Sequence, residues 1–267
     1  FLAALLMYFS FQQMWTLYGN PFVLPGLMIT GSFVVPVTAL IFFVEINARR
    51  NVSLYQVLRL VFAGGVLALS LTLLLFRVIE YFPTQWMGLS IAGMVEEPAK
   101  LVALVLVVFN TRYRYTLNGM LFGAAVGTGF AAFESAGYAF AYLIEYGDQA
   151  MSDTITIRGL LAPGGHIVWT AICGAALWKV KGDKRFALDM LTELRFLRVF
   201  VIAISLHMVW NLPIHHFLPF QAIRLALGAV AWIITIAFIQ DGLKQLRTEK
   251  RDALDNSGYA AVNNDKI

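Results

Sequence analysis

Three charged side chains within five residues, Glu96, Glu97 and Lys100, interrupt an apolar run that extends from about 86 to 109. A run of that length suits a helix crossing about 30 Å of hydrocarbon. In that setting each ionised group at mid-helix costs about 2.5–3.5 kcal/mol, enough for three to cancel most of what the neighbouring Leu, Val and Ala residues contribute. Any fold that accepts this stretch must therefore pair the charges or use them. Helical spacing puts Glu96 and Lys100 on one face, as an internal ion pair, and turns Glu97 about 100° away, free for other work. Pro98 has no N–H, so the carbonyl of Met94 loses its partner and a kink or local opening is predicted. The plain alternative is an ion-paired packing site between helices.

The rest of the chain favours a membrane setting. Of 267 residues, 59% are hydrophobic and 13% charged, with a mean hydropathy of +0.71, which excludes an ordinary soluble domain. Eight apolar runs are legible, about 1–17, 24–45, 56–79, 87–109, 117–144, 159–179, 197–215 and 222–241, so the expected class is all-α, a polytopic transmembrane bundle of about eight helices. Every second loop is basic: Arg49 and Arg50, then Arg112 and Arg114, then Lys181 to Arg198, then Lys244 to Arg251. The alternate loops are poor in cations, and one carries Glu145, Asp148 and Asp153. The positive-inside rule then places both termini in the cytoplasm. The basic excess needs no nucleic acid to explain it.

Residues 1–243 read as one membrane domain, and 244–267 as a polar, disordered cytoplasmic tail. Between Gly182 and Arg195, the residues Phe186, Met190, Leu191 and Leu194 are spaced like one face of an amphipathic surface helix. The first residue is Phe1, without a Met, and is read as a trimmed or processed start. The single cysteine, Cys173, excludes a disulfide or a cysteine-based zinc cage.

Other polar residues sit inside the runs. Gly119, Gly123 and Gly127 form a small-residue seam that turns their helix inward and carries Glu134 with it, with Gly137 on nearly the same face. Pro163, Gly164 and Gly165 make a poor helix start before His166, a place where backbone can bend toward a cavity. His207 and Asn211 are four apart and share a face. His215 and His216 lie at the end of their run, as interfacial residues. At about 1.5 Å of rise per residue, Glu97, Glu134, His166, His207 and Asn211 reach similar depths in the outer half of the membrane.

Carboxylates with neutral imidazoles suit zinc. His166, His207 and Glu134 would supply three ligands, Glu97 would be the general base, Asn211 would donate to an oxyanion, and Lys100 would balance Glu96. The same glutamates and histidines could also activate water without metal. Neither His-Glu-x-x-His nor Gly-x-Ser-x-Gly occurs.

Glu96-Glu97-Pro-Ala-Lys100, Phe130-x-x-x-Glu134, His166 and His207-x-x-x-Asn211, in that order on four successive helices, resemble the PrsW family of bacterial intramembrane proteases. That family is distantly similar to the type II CAAX prenyl proteases and the bacteriocin-immunity membrane proteins. The resemblance spans about 86 to 213. It implies a metallopeptidase of the bacterial cytoplasmic membrane, with a membrane-protein or peptide substrate and a site-1-type cut in an anti-sigma factor. Glu96, Glu97, Glu134, His166, His207 and Asn211 are then the active-site candidates. The prenyl proteases have histidine where this chain has Glu134, and Ser135 stands where many relatives carry a polar amide. The competing classes are a proton- or cation-coupled transporter or channel and an inactive scaffold that binds membrane peptides.

Overall fold

The structure, a computed structural model, describes residues 1–108, 113–212 and 220–264, with side chains except at Phe220 and beyond residue 254. It is all-helical among those residues: α1 (Leu2–Tyr18), α2 (Leu24–Ile46), α3 (Leu54–Arg59), α4 (Gly65–Ile79), α5 (Ile91–Val108), α6 (Thr116–Tyr146), α7 (Asp148–Leu161), α8 (His166–Lys181), α9 (Leu194–Trp210) and α10 (Phe220–Asn264). A π turn over Leu60–Gly64 joins α3 to α4 as one rod, Leu54–Ile79. The eight predicted crossings are all present as helices. Among the described residues five segments are long and apolar enough to span by themselves: Pro21–Ile46, Leu54–Ile79, Thr116–Tyr146, Asp148–Lys181 and Gln221–Leu254. α5 has the length but carries the three charges. Its helix continues through Pro98 without a break.

α6 is the axis of the bundle, buried from Thr116 to Ala132. The glycine seam makes that burial possible. A Cβ at Gly123 would lie 2.0 Å from the carbonyl oxygen of Thr170, and one at Gly127 would lie 2.5 Å from that of His166. α6 and α8 therefore pack backbone to backbone, the contact that small residues allow between membrane helices. Gly137 meets nothing within 4 Å and is not part of the seam. The core continues through Phe43, Phe122, Phe130, Trp169 and Phe196. Outward faces carry exposed Leu73, Leu74, Val201, Ile233 and Ile236, side chains that hydrocarbon accepts and water would not.

Three sequence expectations are corrected. The acidic loop between the fifth and sixth crossings is instead α7. It doubles back along α6, so that Met151 and Ile155 pack with Ala139, and α7 and α8 form one broken crossing hinged at the short 3₁₀ turn Ala162–Gly164. The stretch from Gly182 to Arg195 holds one 3₁₀ turn, Leu188–Leu191, in place of an amphipathic helix. Met190 is buried and Phe186 and Leu191 pack against the core, while Leu188 and Leu194 are exposed. From residue 244 the chain continues as helix to Asn264. Gln245 Oε1 accepts the N–H of Thr116 at 3.2 Å and Glu249 accepts from the Tyr115 hydroxyl at 2.9 Å, contacts that hold the extension in place. Arg112, Pro213, His215, His216 and the last three residues lie outside the described residues.

Candidate active site

Four helices bring the polar residues together. Gly93 lets α5 approach α9, since a Cβ there would lie 2.7 Å from Met208 Cγ; this sets Glu96 and Glu97 beside His207. The α6–α8 seam sets Glu134 beside His166, the first residue of α8 after the Pro-Gly-Gly bend. His166 and His207 lie with ring centroids 4.9 Å apart, and Trp169 stacks on His207 at 4.6 Å.

The expected pairing within α5 is reversed. Lys100 Nζ donates to Glu97 Oε1 at 2.5 Å, with both side chains fully enclosed, and does not pair with Glu96. An i,i+3 spacing serves an ion pair as well as i,i+4 does. The choice is made by α9, because His207 Nδ1 lies 2.8 Å from the same Glu97 oxygen. An imidazole nitrogen facing a carboxylate carries the proton, so His207 donates through Nδ1 and its Nε2 lone pair is bare. Lys100 Nζ also lies 3.0 Å from His166 Nδ1 and 4.8 Å from the centroid of Phe130. An ammonium can only donate, so His166 Nδ1 is an acceptor and its proton is on Nε2, which donates to Glu134 Oε2 at 3.1 Å.

Glu134 has a second partner that the sequence reading missed. Arg158 of α7 ion-pairs with Glu134 Oε2, donates from Nε to Ser135 Oγ at 3.0 Å, and lies 4.5 Å from the centroid of Tyr138. One signal did mark it, since it is the lone cation in the otherwise acidic stretch from Glu145 to Arg158.

Glu96 stands between the imidazoles. Its Oε2 is buried and has no hydrogen-bond partner among the described residues, 3.7 Å from His207 Nε2 and 3.9 Å from His166 Nδ1. These distances are too long for hydrogen bonds. They are close to the separation of ligand atoms around an ion bound at about 2.0–2.2 Å. Among the described residues, Glu96, His166 and His207 are the set whose ligand atoms all fall within 4.8 Å of one another. The geometry thus groups Glu96, where Glu134 was expected, with the two histidines. Glu97 orients His207 as a carboxylate behind a ligand does. An orphaned buried carboxylate oxygen and a bare Nε2 aimed at the same point fit a divalent cation.

A cavity of about 410 Å³ opens onto this cluster, lined by Glu96, Glu134, His166, His207 and Asn211 and flanked by Tyr138, Arg158 and Trp210. Glu97 and Lys100 do not line it. The expected residues therefore divide into a cavity set and a buried supporting pair, Glu97 and Lys100.

Neither a curated protein nor a solved structure matches the chain. A family does: the one described as PrsW family intramembrane metalloprotease matches residues 53–239, well over half the chain, from the start of α3 into α10. Every residue of the cluster falls inside the match, and a buried carboxylate and imidazole set on membrane helices is what such an enzyme requires. The chain belongs to the PrsW family of intramembrane metalloproteases.

Proposed function

We propose that this peptidase cuts a peptide bond in or near the membrane segment of another membrane protein, in a water-accessible cavity centred on Glu96. The observation that carries the reading is the orphaned Oε2 of Glu96, buried between two imidazoles whose tautomers are fixed by Glu97, Glu134 and Lys100. A buried carboxylate without a partner costs stability that packing alone gives no reason to bear. The substrate class implied by the sequence resemblance is a membrane-anchored regulator of the anti-sigma-factor kind, cut on the outer side.

Glu96, His166 and His207 would hold the divalent ion, zinc being the ion that this donor set suits. Such an ion supplies Lewis acidity, polarising the scissile carbonyl and making water acidic enough to attack at neutral pH. His207 needs no rearrangement, since Nδ1–H stays on Glu97 and Nε2 is already bare. His166 must release Lys100 from Nδ1, leaving the ammonium on Glu97. Glu134, the other carboxylate lining the cavity, takes the proton of the attacking water and returns it to the leaving amine. Asn211, at the C-terminal end of α9 on the cavity wall, donates its amide to the developing oxyanion.

One observation favours a second mode. The lone pair of His166 Nδ1 is already filled by Lys100. In that mode Glu96 itself is the base and the imidazoles assist as hydrogen-bond partners.

Metal content of detergent-purified protein by elemental mass spectrometry separates the two modes, alongside cleavage of a panel of fluorogenic transmembrane peptides before and after chelation. About one zinc per wild-type chain, absent from Glu96→Gln and from His166→Ala with His207→Ala, is expected, with cleavage lost on chelation and restored by zinc. Cleavage that survives chelation, with no metal in any sample, would establish the Glu96 base. No cleavage of any peptide, with pH-dependent ion flux in proteoliposomes, would overturn the peptidase reading in favour of a transporter.

A further inference from the structure

Around Glu96 each imidazole is backed by a carboxylate, and each carboxylate by a cation. One relay is Lys100, Glu97 and His207; the other is Arg158, Glu134 and His166. The first lies wholly inside the bundle between α5 and α9. The second reaches outward to α7, whose side chain closes the relay from the cavity wall, with the Arg158 side chain 29% exposed and that of Glu134 12%.

We infer that Arg158 is a positioning residue of the peptidase: it holds the Glu134 carboxylate where it accepts from His166 Nε2, and so restrains, together with Lys100, the imidazole tautomer whose Nδ1 faces Glu96. The inference deepens the peptidase reading and rests on it. Its geometry is specific. Arg158 engages three α6 residues along one stretch, Glu134 and Ser135 by hydrogen bonds and Tyr138 by its ring face, so the guanidinium plane is fixed from two directions and the carboxylate is fixed with it. A planar fork suits that task and an ammonium does not. The opposite tautomer would set Nδ1–H against the Lys100 ammonium at 3.0 Å and a bare Nε2 against a carboxylate at 3.1 Å, two repulsive contacts. Lys100 and Glu134 thus hold one tautomer from opposite sides of the ring, and the Glu134 side holds only while Arg158 keeps that carboxylate in place.

Stability does not account for the pair. A buried ion pair gains little over an apolar replacement of the same shape, because desolvation offsets the attraction. What the ion pair does provide is orientation, and outer partners of this kind change activity or metal affinity by about 10–100-fold.

The test uses full-length, detergent-solubilised protein labelled with ¹⁵N-histidine. Wild type, Arg158→Gln and Arg158→Lys are compared by the ring-nitrogen shifts of metal-free His166, and by kcat and KM on the peptide that wild type cleaves best. The expected result is a pure Nε2–H tautomer in wild type and a mixture in Arg158→Gln. For that variant kcat falls about 10–100-fold and KM stays within about twofold, and Arg158→Lys recovers part of both signals. Should Arg158→Gln fail to fold, Ser135→Ala, which removes one anchor of the guanidinium and leaves every charge paired, carries the same readout at smaller amplitude. An unchanged tautomer and kcat in a folded variant would overturn the inference. A wild type that cleaves nothing would remove the peptidase reading, while the tautomer comparison still decides what Arg158 does.

Discussion

At the residue scale, the charged and imidazole side chains of four helices meet in one cluster, in pairs that no single helix dictates. Charges and imidazoles inside apolar runs announce themselves, and all of Glu96, Glu97, Lys100, Glu134, His166, His207 and Asn211 lie at one cluster or its cavity. Which carboxylate pairs with Lys100 depends on His207, 110 residues away in sequence, and helix geometry alone cannot rank i,i+3 against i,i+4. Arg158 was overlooked because it ends the acidic segment where a loop was expected. The pairing gives Glu96 and Glu97 different mutational signatures. Glu96→Gln leaves every described hydrogen bond of the cluster intact, so the thermal midpoint should hold within a few degrees, while cleavage should fall at least about 100-fold through the loss of a ligand or, in the metal-free mode, of the base. Glu97→Gln leaves Lys100 as an uncompensated buried charge and should cost about 3–5 kcal/mol. Adding Lys100→Met should return most of that stability, read by thermal unfolding in detergent, without returning cleavage. If Glu97→Gln unfolds no earlier than Glu96→Gln, the pair is not the structural one.

At the element scale, two backbone irregularities place the site. The Pro-Gly-Gly bend starts α8 at His166, and the glycine seam brings the backbone of α6 against the same residue. The first was readable from composition, since Pro and Gly punctuate a helix wherever they fall. The doubling back of α7 was not, because an acidic segment outside the strongest apolar window looks like a loop until Met151 and Ile155 are seen to pack on Ala139. The seam is testable by adding one methyl group at a time. A Cβ at Gly127 would meet the His166 carbonyl at 2.5 Å, so Gly127→Ala should destabilise by about 1–3 kcal/mol, the usual cost of overpacking, and should lower kcat by displacing His166. Gly137→Ala, on the same helix with open space around it, should be neutral or stabilise by up to about 1 kcal/mol, as removal of a helix-interior glycine does. Equal effects at the two positions would mean that α6 and α8 do not approach as closely as the seam requires.

At the scale of the whole molecule, charge asymmetry and packing independently give the same topology. The alternation of basic loops suggested eight crossings with the termini on one side. In the folded chain Arg49 at the end of α2, Arg114 before α6, Asp183 after α8 and Glu249 in the α10 extension meet in one connected network through the Tyr115 hydroxyl, so these loops and that extension do gather at one end of the bundle. Exposed pairs of this kind contribute little stability, typically about 0–1 kcal/mol each; their value here is that loops far apart in sequence can share an end only if the crossings alternate. The α6–α7 corner, with Glu145 and Asp148, then belongs to the opposite end, and the cavity opens toward it through Tyr138, Tyr142 and Asp153. The positive-inside rule assigns the basic end to the cytoplasm. Single cysteines at two exposed positions decide it, because native Cys173 is buried and should stay silent. In intact cells a membrane-impermeant maleimide should label Gln149→Cys and leave Lys184→Cys unlabelled until the membrane is permeabilised. The reverse pattern would invert the protein, put the cavity on the cytoplasmic side and exclude an outer-side cut; labelling of both in intact cells would break the eight-crossing count itself.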